Sequence, residues 1–257
     1  MKAISPDNPV LSTINKIVDI MWVSLLWCIV CLPALFGLFF GLNFLADEQI
    51  YLLLMAMFPI CAITVGPASA ALYYAIVKVI RRERGYITRC FFHGLKVNFK
   101  LGALTSLLYG VFLAIMYFDI KYSLQMALHT DSKFSFILCG VFLCIMGFTF
   151  VILVWLNPVL SRFELTFKTL LRNTFLISVK NIFRTLILVI FWFALGFLMF
   201  EMLMSETMIK FVALLPFFVP GVSALVRSFI IEPVFKKLSS EVEENGEDEN
   251  PDQWYNE

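Results

Sequence analysis

Few residues in this chain have the type and spacing that chemistry requires. Cys28 and Cys31 form a C-x-x-C pair, which in a soluble α/β protein would suggest thiol redox chemistry. Here the pair lies in an apolar run between Trp27 and Leu32, where cysteine behaves as a small hydrophobic packing residue. Cys61, Cys90, Cys139 and Cys144 also lie in or beside apolar segments. The two histidines, His93 and His129, fall on opposite sides of the membrane in the threading derived below, so they cannot share a metal. No P-loop, H-E-x-x-H or G-x-S-x-G motif occurs. Asp19 falls at the inner end of the first apolar stretch, and Arg227 and Glu232 at the inner end of the sixth, where Asp19 can pair with Arg227. Asp119 and Glu201 fall at outer ends, so no acidic or histidine relay crosses the midplane for proton-coupled transport. No catalytic, cofactor-binding or metal site is predicted, no cofactor is expected, and the protein is expected not to be an enzyme.

The most distinctive segment is Thr64–Tyr74, TVGPASAALYY. Gly66 and Ala70 have the small-x-x-x-small spacing that lets helices approach closely in lipid, with Ser69 beside them. Pro67 lacks an N–H and kinks or breaks the helix there. A kink packed against neighbouring helices is one outcome. The other is a half-helix whose N–H groups face a polar ligand. Pro220-Gly221-Val222-Ser223-Ala224-Leu225 partly echoes Pro67-Ala68-Ser69-Ala70-Ala71-Leu72, and a second kink is predicted at Pro220. The offsets of this and a weaker Lys-x-x-Phe echo differ, which counts against an inverted-repeat transporter.

These segments sit in an apolar frame. The chain has 257 residues, 60% hydrophobic, with a mean hydropathy of +0.86. An ordinary globular domain has about 45–50% apolar residues. The predicted fold is an all-α membrane protein with spans near 17–40, 51–79, 101–120, 134–157, 185–204 and 209–231. Each meets the requirement of roughly 20 apolar residues per crossing. The first apolar stretch is long enough to remain as a span and has no cleavable-signal pattern. Of the 20 Lys and Arg residues, all but Lys121, Lys133 and Lys210 lie at the N-terminus, at the C-terminal side, or on the two segments joining spans two to three and four to five. Basic residues are retained inside, so both termini are predicted to be cytoplasmic. The near-neutral net charge of +1 gives no sign of nucleic-acid binding.

Residues 1–238 are read as the transmembrane domain. Its inner side carries amphipathic segments near 82–100 and 161–184. In the first, Phe91, Phe92, Leu95 and Phe99 stand at near-helical spacing with Arg89, Lys96 and Lys100. Such a helix lies in the lipid headgroup layer or docks on a cytoplasmic partner. Residues 239–257 contain eight acids and no base, a composition that predicts a disordered, solvated tail.

The first 100 residues resemble the YesL family of small bacterial membrane proteins, a family of unknown function. The resemblance rests on Asn8-Pro9-Val10, Ile17-Val18-Asp19, Leu25-Leu26-Trp27, Cys31-Leu32-Pro33 and Gly66-Pro67-Ala68-Ser69-Ala70-Ala71-Leu72-Tyr73-Tyr74. It continues through Arg82-Glu83-Arg84-Gly85-Tyr86-Ile87 and Phe91-Phe92-His93-Gly94-Leu95-Lys96-Val97-Asn98-Phe99-Lys100. Residues 34–63, with Asp47-Glu48, form a longer insertion after Pro33 than relatives carry. The resemblance implies a component of carbohydrate-uptake systems. In that context the chain is expected to be an accessory subunit or assembly factor of an oligosaccharide ABC importer. It would bind permease helices through small-residue faces at Gly66, Pro67, Ser69, Ala70, Pro220 and Gly221. Membrane lipid is the other expected partner, and a homo-oligomer is the alternative to a hetero-complex. A stand-alone transporter or channel, and a sensor or regulator acting through the inner loops or tail, are the competing functions.

Overall fold

The computed structural model describes residues 9–33, 63–81, 86–130, 133–163, 165–205 and 214–244. Parts of predicted spans one, two and six (34–40, 51–62, 209–213) lie outside the described residues. So do Asp47-Glu48, Cys61, the basic residues Arg82 and Arg84, and the tail beyond 244.

Every regular element among the described residues is helical. Helix α1 is Pro9–Val30, α2 is Ile63–Arg81, α3 is Ile87–Thr130 and α4 is Lys133–Arg162. Helix α5 is Phe167–Lys180, α6 is Ile182–Met204 and α7 is Leu215–Glu244. Six of these, all but α5, are long and apolar enough to cross a membrane. Helices suit that solvent because every backbone N–H and C=O is satisfied within the segment. Large side chains such as Phe134, Phe193 and Phe197 stand on the outside, where lipid accepts them.

Helix α2 is the wall between two cores. Ala70, Tyr73 and Val77, at i, i+3 and i+7, face a cluster with Trp155, Val159, Leu188, Ile231 and Phe235. Ala71, Tyr74 and Ala75 face the other way, toward Ile20, Val23, Phe91 and Ala224. A helix that is apolar all round must be buried on both sides, and α2 is. Its last turn, Ile76–Arg81, winds as a π-helix. Lys78 is buried there, with its ammonium donating to Tyr74 Oη at 2.9 Å.

Helix α3 has 44 residues, about 66 Å at 1.5 Å per residue. The predicted amphipathic segment is thus continuous with the third span, and residues 87–100 are its first turns. Helix α5 occupies the second inner segment and turns Leu170, Thr174 and Ser178 inward at four-residue spacing. The α5–α6 corner at Asn181 is pinned by Thr185. Its hydroxyl lies 3.0 Å from the carbonyls of both Ser178 and Asn181 and accepts the Trp155 Nε1–H at 2.9 Å.

Candidate functional site

The small residues singled out in the sequence pack inside the chain. Gly66 and Pro67 are buried against α3. A Cβ on Gly66 would lie 2.5 Å from Gly102 O and 2.6 Å from Ser106 Cβ, while one on Gly102 would lie 3.1 Å from Pro67 Cα. Lower on the same pair, a Cβ on Gly94 would meet Ala71 Cα at 3.3 Å and the Tyr74 ring at 3.1 Å. Gly94, Asn98, Gly102 and Ser106 therefore form a four-residue ladder of small and polar groups on α3 that receives α2. Asn98 is buried and returns its amide N–H to Gly94 O at 3.0 Å. The face of α3 that packs is this ladder with Cys90 and Phe91, not the aromatic series. Phe91 is buried, but Phe92, Lys96, Phe99 and Lys100 are exposed.

Pro220 and Gly221 meet α1. Pro220 cannot donate to the carbonyl of Pro216, four residues earlier. The Cys28 thiol lies 3.6 Å from that carbonyl and donates to it. Gly221 N–H donates to Ser24 Oγ at 2.9 Å, and Ser24 in turn donates to Ile20 O at 2.7 Å. Ser24 and Cys28, one turn apart on α1, thus cover the backbone beside Pro220, and α7 remains helical through it. Here Cys28 of the C-x-x-C pair is a hydrogen-bond cover, and both of its cysteines are free thiols.

Ser69 is half-buried, accepts the Trp27 Nε1–H at 3.2 Å, and faces a cavity of about 370 Å³. The cavity runs along one face of α7 from Leu215 and Pro216 to Arg227. Leu72, Leu195 and Met199 give it apolar walls, Asn157 also lines it, and Trp192 and Ser223 meet Arg227 there. Arg227 is only 5% exposed. Its Nε–H donates to Ser223 O at 3.3 Å, and its guanidinium carbon lies 5.1 Å from the Trp192 ring centre. Among the described residues no carboxylate pairs with it, so the Asp19–Arg227 pair considered from the sequence does not form. Along α7, Arg227 stands twelve residues after Leu215 and five before Glu232 (227 − 215 and 232 − 227). Asn157, which the sequence did not single out, and Trp192 have no side-chain hydrogen-bond partner among the described residues.

Glu232 is engaged elsewhere. It pairs with Arg162 at 2.7 Å and accepts from Tyr73 Oη at 3.2 Å, with both charged side chains buried. Arg162 also lies over the Phe235 ring, 5.3 Å from its centre. This cluster ties α2, α4 and α7 together at one end of the bundle. Beside it the Arg81 guanidinium donates to Ser228 O and covers the Phe229 ring.

Among the described residues no three His, Cys, Asp or Glu side chains come together as a metal site. His93 and His129 stand 36 residues apart on α3, about 54 Å along its axis. None of the curated proteins and none of the solved structures matches the chain. Residues 20–120, from within α1 to about three quarters of the way along α3, match the family described as "Protein of unknown function, DUF624".

Proposed function

We propose that this protein is a non-enzymatic subunit of a larger assembly in the bacterial cell membrane, with both termini cytoplasmic. Its role is that of an accessory or assembly component of a carbohydrate ABC importer. The importer context rests on the family resemblance of the first 100 residues. The observation that supports a membrane partner is an unfilled small-residue face on α4. Gly140, Cys144 and Gly147 share that face at i, i+4 and i+7, and Cys144 is exposed. A Cβ at either glycine would meet nothing within 4 Å among the described residues, whereas Gly66, Gly94, Gly102 and Gly221 are all filled by the chain's own helices. In lipid a small face is where another helix approaches closely. The partner surface is therefore assigned to α4 rather than to Gly66 and Ala70.

The test is affinity capture of the native protein from its own host in mild detergent, with Gly140→Leu and Gly147→Leu beside it. Permeases and their ATPase should accompany the native chain and be lost from the two variants, with thermal unfolding of the chain unchanged. A native chain that comes away alone, or variants that retain the permeases, would remove this reading. The cavity at Arg227 favours a second one, a stand-alone solute transporter. That reading requires solute flux in vesicles that contain this chain and no partner.

A further inference from the structure

We propose that the cavity between α1, α2, α4, α6 and α7 is a binding site for an oxyanion carried on a hydrocarbon chain, held by Arg227. This site is independent of the α4 face and of any protein partner. An arginine is charged at every physiological pH and carries five N–H donors in a planar fork. Arg227 uses one of them, Nε–H, on the carbonyl of its own helix. The other four have no acceptor among the described residues, although the side chain is 95% buried (5% exposed).

A buried charge without a partner is costly, so it persists where something compensates it. The Trp192 ring supplies part of that compensation and leaves the fork free. A planar, bidentate donor matches a carboxylate or phosphate. Asn157 and Trp192, whose side-chain donors have no partner among the described residues, line the same cavity.

The rest of the cavity selects the body of the ligand. From Arg227 to Leu215 it follows α7 for twelve residues, about 18 Å. Beyond Ser223 its walls on α7 are Pro220, Val219 and Pro216, faced by Met199 and Leu195 from α6. A volume of about 370 Å³ falls within the usual range for ligand sites, roughly 300–1,000 Å³. A small hydrated anion would leave those apolar walls unfilled. An acyl chain fills them while its head group meets Arg227.

The probe is dibromostearic acid, whose bromines quench tryptophan fluorescence at contact, added to the full chain in phosphatidylcholine nanodiscs. Trp27 and Trp192 line the cavity and report on its occupancy. Saturable quenching by the acid, absent for its methyl ester and abolished in a Trp27→Phe/Trp192→Phe variant, is expected. Arg227→Gln should weaken the apparent affinity about tenfold or more, the loss of one charge-assisted contact. Arg227→Lys, which keeps the charge without the fork, should fall between the two. Equal quenching by acid and ester would overturn the proposal without recourse to any variant. So would displacement of the acid by inorganic phosphate alone, which would assign the site to a soluble anion. An Arg227→Gln protein that folds and binds the acid normally would remove Arg227 as the anchor.

Discussion

Ser24 Oγ on α1 accepts the backbone N–H of Gly221 on α7 at 2.9 Å, one residue beyond the proline that interrupts α7's hydrogen-bond ladder. Lipid offers no water to satisfy backbone groups beside a proline, so another helix must supply partners. Helix α1 does so from two successive turns, with Ser24 for the N–H and Cys28 for the carbonyl of Pro216. The close approach depends on the missing side chain at Gly221, where a Cβ would lie 2.8 Å from Ile20 O.

Two substitutions probe this contact in opposite senses. Ser24→Ala removes the acceptor and should cost about 0.6–2 kcal/mol, the range for an interhelical hydrogen bond in a membrane protein. Gly221→Ala should cost about 1–3 kcal/mol by overpacking. The two should not add. Removing Ser24 Oγ, which lies 2.5 Å from the Cβ position, makes room for the new methyl group, though Ile20 O remains in its way. A double-mutant cycle on thermal unfolding in detergent measures the coupling, and strict additivity would contradict the contact.

The glycines divide into filled and open sites, and their alanine variants should divide the same way. Gly66→Ala and Gly102→Ala each drive a methyl group into the facing helix, so each should lower stability by about 1–3 kcal/mol. Gly147→Ala meets nothing within 4 Å and should leave stability unchanged or raise it by up to about 1 kcal/mol through helix propensity. Unfolding midpoints of the three single variants decide this. A destabilised Gly147→Ala alone in detergent would mean that the α4 face is already filled within the chain.

Half of the α2–α3 contact was legible in the sequence. The small residues of α2 are contiguous, Gly66 to Ala71, and stand out against the bulky apolar residues around them. Their counterpart on α3 is spread over thirteen positions, Gly94 to Ser106, among basic and aromatic residues whose own periodicity suggested a different buried face. Phe92 and Phe99 match a helical aromatic stripe in sequence but point outward, because close approach of α2 selects the small face. Glu232, 70 residues from Arg162 in the chain, has no local signal that announces its partner.

That buried pair makes its own prediction. Removing one partner leaves a charge desolvated, so Arg162→Met or Glu232→Leu alone should cost about 3–5 kcal/mol. The double substitution removes both charges of this pair and should recover most of that loss, because an apolar pair of similar volume is often equal to a buried ion pair. Tyr73 Oη would still lose its acceptor, so recovery should be incomplete until Tyr73→Phe is added. Unfolding midpoints of the two single variants, the double and the triple read this out. A double variant as unstable as the worse single one would show that the cluster acts through shape rather than charge.

The length of α3 gives a direct test of how the chain is threaded. Tyr86, just before the helix, and Leu128, near its far end, are both largely exposed, at 82% and 67%. They are 42 residues apart, about 63 Å of helix, against a hydrocarbon core of about 30 Å. Both cannot lie within the bilayer on one upright helix, and the positive-inside rule predicts, from the basic residues between Arg89 and Lys100, that the Tyr86 end is inside. In a background with Cys28→Ser and the remaining cysteines replaced by alanine, a single Tyr86→Cys should resist a membrane-impermeant maleimide until cells are opened. Leu128→Cys should react in intact cells. The reverse pattern would invert the bundle, moving the Tyr86 end and the basic turns of α3 to the outer surface and the cytoplasmic assignment of both termini with them.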